Sequence, residues 1–252
     1  MRDYGEVVQR IQQNESAEIV GNADGFSIYS AEIGHADGFP RLLAIGGTHG
    51  DEPAGVEAAL RILEAEPLLS TEARIQVLPC VNPYGYTRNE RLNRAGIDLN
   101  WSFHCPELPE IAAVRRAIDG RRYDAVIDLH EDWESPGFYM YEVSRRGYIG
   151  EAVARAVSKV CPINQSAVIE GDAASGGILR PDPRAPRREA RGYGIPIALY
   201  DLHTDLYITT ETPTGAAMEI RVEAHLRAAR AVLQELSKER AERKKGGDGG
   251  DR

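Results

Sequence analysis

The chain has little cysteine and no leader-like apolar stretch. Only Cys80, Cys105 and Cys161 occur among 252 residues, widely spaced and with no C-x-x-C pair. That excludes a disulfide framework and a thiolate metal site as organising features, and it fits thiols kept reduced. The first twenty residues, MRDYGEVVQRIQQNESAEIV, carry charges throughout and lack an apolar signal core. No run reaches the roughly 18 apolar residues that a membrane span needs. A soluble, cytoplasmic protein without a membrane partner is therefore expected. Positive charge is also short: Lys and Arg number 30 against 39 Asp and Glu, a formal net charge of −9. Nucleic-acid binders are more often basic, so no nucleic-acid partner is expected.

What remains is an ordinary globular composition, 42% hydrophobic and 27% charged, enough for one sizeable core. Residues 1–14 read as an amphipathic helix, with Val7, Val8 and Ile11 on one face. Residues 26–33 alternate like a strand, and the short apolar runs at 41–45, 74–78, 125–129, 195–200 and 206–210 also read as strands. Helical patterns fill 53–66, 109–118, 148–160 and 214–242. Strands alternating with helices predict an α/β fold: a single domain with a mixed, largely parallel twisted sheet and helices on both faces. The catalytic domain is expected over 1–237, followed by a flexible charged tail over 238–252. Ligands in such sheets gather at the carboxyl ends of the strands.

Polar residues stand at those ends. Gly46-Gly47-Thr48-His49-Gly50-Asp51-Glu52 follows the 41–45 strand and precedes a helix. A His and a Glu three apart on such a turn are able to converge on one ion, and imidazole with carboxylate suits Zn²⁺. Alone, H-x-x-E is equally a polar loop capping a helix. A third ligand is available in His130, after the strand 125–129, where alternation puts Asp128 on the same side. Glu131, Asp132, Glu134 and His203 compete for that place. His225 lies on the last helix and reads as structural.

Between these pieces runs Asn82-Pro83-Tyr84-Gly85-Tyr86-Thr87-Arg88-Asn89-Glu90-Arg91-Leu92-Asn93-Arg94-Ala95-Gly96-Ile97-Asp98-Leu99-Asn100-Trp101. The ordered set H-x-x-E, N-P-x-G, R-x-N-x-x-G-x-D-L-N, D-L-H and a late Glu resembles the zinc carboxypeptidase (carboxypeptidase A-like) family. That family includes the succinylglutamate desuccinylase and aspartoacylase branch. The resemblance spans His49 to Glu211 and implies a zinc-peptidase-like fold with one Zn²⁺ per chain. It implies His49, Glu52 and His130 as metal ligands, Glu211 as general base and Arg91 as oxyanion stabiliser. It also implies that Asn100 binds the substrate carboxylate and points, by position alone, to Tyr193 as the loop tyrosine. The pattern breaks at Trp101, where most members have the arginine that clamps that carboxylate. Trp cannot form a bidentate ion pair. Arg180, Arg184, Arg187 or Arg191 of the Pro- and Arg-rich loop would then take over, or the substrate differs and Trp101 stacks on it or packs.

The function so implied is zinc-dependent hydrolysis of an amide bond in a peptide. An N-acyl amino acid deacylase or amidase is the alternative, and a non-catalytic metal-binding protein a second one.

Overall fold

The computed structural model describes residues 1–64, 72–185 and 190–247. Among the described residues ten strands form one sheet: β1 (Glu18–Ala23), β2 (Phe26–Gly34), β3 (Arg41–Gly46), β4 (Arg74–Leu78), β5 (Ala125–Asp132), β6 (Tyr139–Ser144), β7 (Val168–Ile169), β8 (Asp172–Ser175), β9 (Ile178–Leu179) and β10 (Leu206–Pro213). Their order across the sheet is β1-β2-β4-β3-β5-β10-β6-β9-β8-β7. The centre, β4-β3-β5-β10, is parallel. β2 joins one side and β6 the other in antiparallel sense. The sheet is thus mixed; β9 adds a short parallel pairing to β6, and the parallel centre is made of strands that read as apolar runs. Those strands are covered on both faces and need no polar alternation.

The helices are α1 (Tyr4–Ile11), α2 (Pro53–Glu64), α3 (Pro83–Arg88), α4 (Pro109–Ile118), α5 (Gly150–Val157), α6 (Ile195–Leu202) and α7 (Met218–Gly247). One face of the sheet packs against α1, α2, α5 and α7, through Ala44, Ile127, Leu129 and Ile208 among others. The opposite face packs against α4 and α6, through Leu43, Ile45, Val126 and Tyr207. Helices therefore cover both faces, as the alternation of elements implies. Among the described residues no helix is long and apolar enough to cross a membrane.

The segment 195–200 departs from expectation: it is the helix α6, not a strand. A six-residue apolar run does not distinguish a buried strand from a buried helix. Gly194 and Pro196 open the helix, and Ile195, Ala198 and Leu199 enter the core while Ile197 and Tyr200 line a cavity. The last helix extends through Gly247, and residues 248–252, part of the expected tail, lie outside the described residues.

Candidate active site

β3 ends at Gly46, and the chain turns through Gly47, whose φ of +63° belongs to the left-handed region that glycine favours. The turn delivers His49 and Glu52 before α2 starts at Pro53. Glu52 thus sits at the positive end of a helix, where a carboxylate is stabilised. His130 arrives on β5, the neighbour of β3, and Glu211 on β10, the next strand across. All four groups stand at the carboxyl ends of parallel strands and line one cavity of about 400 Å³.

His49, Glu52 and His130 are buried, and one potential ligand atom from each lies within 4.8 Å of the others. His49 Nδ1 is 2.7 Å from Glu52 Oε1, His130 Nδ1 is 2.8 Å from Glu52 Oε2, and the two Nδ1 atoms are 3.1 Å apart. The outer nitrogens face other carboxylates: His49 Nε2 lies 3.1 Å from Asp98 Oδ1, and His130 Nε2 lies 3.1 Å from Asp128 Oδ2. With protons on those outer nitrogens, both inner nitrogens present lone pairs toward the Glu52 carboxylate. Three acceptors converging on one point call for a cation, and two imidazoles with a carboxylate suit a divalent metal. The charges agree. Burial disfavours the imidazolium of either histidine, yet Glu52 with Asp98 raises His49, and Asp128 with Glu52 raises His130. Burial likewise disfavours the Glu52 carboxylate, but the two histidines hold it well below the usual range. The site thus binds positive charge, for which protons and metal compete.

The segment 82–101 builds the surroundings. Asn82 Oδ1 accepts from the Gly85 N–H, and Asn93 Oδ1 accepts from the Ala95 and Ile97 N–H groups. The turn they shape brings Asp98 to His49. It also brings Arg91 Nη1 to 3.1 Å from Glu52 Oε1. The Gly50 N–H donates to the Arg91 carbonyl, which ties the two segments together.

Glu211 keeps part of its surface open to the cavity. Burial pushes its carboxyl well above the usual carboxylate range; Glu52 and Asp132 push the same way, and His130 and Arg91 pull against them.

Residues 39–159 match the family model of the succinylglutamate desuccinylase/aspartoacylase catalytic domain. The chain resembles the zinc carboxypeptidases, that branch included. Carboxypeptidase SOL1 of Arabidopsis thaliana is 29% identical over 117 residues, which is 41% of this chain and 23% of that protein. The chain therefore spans about a quarter of the length of that curated relative. A Shewanella amazonensis protein described as a metallopeptidase superposes with a TM-score of 0.77 at 19% identity, over 92% of this chain and 91% of the other. The murein-tripeptide amidase MpaA of Escherichia coli O157 superposes with a TM-score of 0.61 at 19% identity, over 86% and 91%. At such identities the likeness concerns the fold. His49, Glu52, Arg91, Asn100 and His130 fall within residues 39–159, and Glu211 lies after them.

Of the competing ligands, Glu134 is exposed at the cavity rim, away from the buried cluster, and the others are engaged elsewhere. Glu131 accepts from the Ala54 N–H at 2.6 Å and pairs with Arg221. Asp132 accepts from the Tyr139 hydroxyl and the Glu134 N–H. His203 Nδ1 meets the Arg121 carbonyl, near the opposite end of β5. His225 is clasped between the hydroxyls of Thr210 and Thr212.

Asn100 and Trp101 line the cavity, and the Arg191 guanidinium stands 5.2 Å from the Trp101 ring centre, on the same wall. Arg180 pairs instead with Glu142 and Glu151, and Arg184 with Asp201. Arg187 lies outside the described residues. Tyr193 is not on the cavity wall; its hydroxyl is directed to Asp201 Oδ2 at 3.4 Å. Tyr139, Tyr141, Tyr200, Tyr207 and Trp133 line the cavity instead. The sequence reading assigned no role to Asp98 or Tyr207, whose contacts depend on residues 49 and 79 positions away.

Proposed function

We propose that the protein is a zinc-dependent hydrolase of amide bonds, a peptidase of the metallocarboxypeptidase type. The observation that carries this reading is the convergence of His49, Glu52 and His130 in a cavity that Glu211 also lines. Two imidazoles and a carboxylate match the ligand set of catalytic zinc, which leaves room for water and substrate. When bound, zinc polarises the scissile carbonyl and lowers the pKa of water at the site toward neutrality. Glu211 then takes a proton from the attacking water on a carboxylate oxygen and passes it to the leaving nitrogen. Its tendency to hold a proton, set by burial, suits that exchange. Arg91 faces the developing oxyanion with a fixed positive charge, and Asn100 orients the substrate.

A second reading is deacylation of a small N-acyl amino acid, favoured by the family model that matches residues 39–159. Both reactions use the same groups, so the substrate decides between them. The catalytic unit is taken as residues 1–237, and the free state of all three cysteines fits a cytoplasmic site of action.

Purified protein should hold about one equivalent of zinc and gain thermal stability when zinc is added. Less than about half an equivalent with no gain would sink the metalloenzyme reading. Peptides with free or amidated C-termini, assayed beside N-acyl amino acids, separate the two substrate classes. Equal cleavage of free and amidated peptides would remove carboxylate recognition, and turnover of acyl amino acids alone would favour the deacylase.

A further inference from the structure

The β10 strand brings a second polar group to the metal cluster besides Glu211. Tyr207, Thr209 and Glu211 alternate onto the cavity face of β10, and Thr209 stands opposite Asp128 of β5. Tyr207 reaches forward from two residues earlier. Its hydroxyl donates to Asp128 Oδ2 at 2.7 Å. Asp128 is fully buried, and its other oxygen, Oδ1, has no hydrogen-bond partner. His130 Nε2 lies 3.1 Å from the same Oδ2, yet the pair is not aligned as a hydrogen bond. The Asp128 carboxylate is therefore held by one phenol, and the outer nitrogen of His130 faces it.

We propose that Tyr207 is a positioning residue for the metal centre: its hydroxyl fixes the Asp128 carboxylate, and Asp128 in turn sets the proton position and ring orientation of His130. This rests on the metal-site reading above. The physical reason is general. A metal-binding imidazole needs its proton on the nitrogen away from the ion, and a fixed carboxylate there makes the inner nitrogen a better donor. A buried carboxylate with only one donor is free to rotate when that donor is lost. Removing the Tyr207 hydroxyl then leaves His130 without a fixed acceptor, although no ligand has been touched. Packing alone would give Tyr207 a different role. Its ring belongs to the apolar cluster with Val126 and Leu199, and phenylalanine would fill that space equally.

The test is zinc affinity, read by chelator competition on the full chain, for wild type, Tyr207→Phe, Asp128→Asn and the double variant. Tyr207→Phe should bind zinc about 10–100-fold more weakly, and Asp128→Asn by a similar factor. The double variant should be no weaker than Asp128→Asn alone, because the hydroxyl acts only through Asp128. With cobalt in place of zinc, the visible spectrum of Tyr207→Phe should shift, since the His130 ligand is reoriented. Wild-type affinity and spectrum in Tyr207→Phe, even with reduced thermal stability, would overturn the proposal in favour of packing. So would the full Tyr207→Phe loss persisting in the Asp128→Asn background. Should Tyr207→Phe fail to fold, wild-type zinc affinity in Asp128→Asn would overturn it equally. A wild-type chain that binds no zinc would instead defeat the metal-site reading on which the proposal stands.

Discussion

Glu211 stands directly opposite His130 in the parallel ladder between β5 and β10. A proposed proton carrier and a proposed metal ligand are thereby placed by one backbone register, without any loop between them. A shift of one residue would turn Glu211 toward α7 and out of the cavity. Glu211→Gln keeps the shape and removes the base. It should retain zinc, measured by elemental analysis, and lose about 10²–10⁴ in kcat. Undiminished turnover would remove Glu211 from the reaction.

Arg91 lies between Glu52 and Asp98, 3.1 Å and 3.5 Å from their oxygens. Its guanidinium remains half exposed, on the cavity side. A group that stabilises charge only in the transition state affects kcat, whereas a substrate anchor affects KM. Arg91→Ala should lower kcat by about 10²–10³ with a much smaller change in KM. Steady-state kinetics on one peptide decides it, and a loss confined to KM would recast Arg91 as an anchor.

These assignments also show which parts of the molecule its sequence discloses. His49 and Glu52 are three residues apart, so their meeting is local and legible. The parallel centre is legible because β3, β5 and β10 are apolar runs, each followed by polar residues. The contact of Tyr207 with Asp128 joins residues 79 apart and appears only once strand order and register are known. β7 and β9, two residues each, are too short to show alternation. The segment 195–202 is ambiguous because burial on a helix and burial on a strand select the same residue types. The place of Arg191 beside Trp101 follows from loop geometry, which no period encodes.

Gly50 makes the closest backbone approach beside the metal turn. A Cβ there would lie 2.0 Å from the Gly85 carbonyl carbon and 2.2 Å from the Tyr86 nitrogen. Arg2 braces the same point from outside, donating to the Gly50 and Tyr86 carbonyls. Because the obstacle is backbone, no rotamer relieves it, and the turn must part from α3. Gly50→Ala should therefore lower thermal stability by about 1–3 kcal/mol or more and weaken zinc binding through displacement of His49. Calorimetry and zinc titration test this together. Unchanged values in both would mean that the two segments are not in contact.

His225 predicts how stability responds to acid. Its ring is fully buried on α7, with Thr210 Oγ1 at 2.9 Å from Nδ1 and Thr212 Oγ1 at 3.2 Å from Nε2. Burial, aided by His130 and Arg221 and opposed by Glu52 and Asp128, brings its pKa down to about 3. An unfolded histidine titrates near 6.5. Above that pH both states are neutral and the native state loses nothing. Below it the unfolded chain takes up a proton that the native chain refuses, so stability falls with pH until the native ring itself titrates. The slope approaches about 1.4 kcal/mol per pH unit between those limits. Glutamine preserves a donor and an acceptor for the two threonines but does not titrate. Urea midpoints at pH 7.5, 6.5 and 5.5 should therefore fall more steeply for wild type than for His225→Gln. Parallel curves for the two proteins would show that acid acts elsewhere.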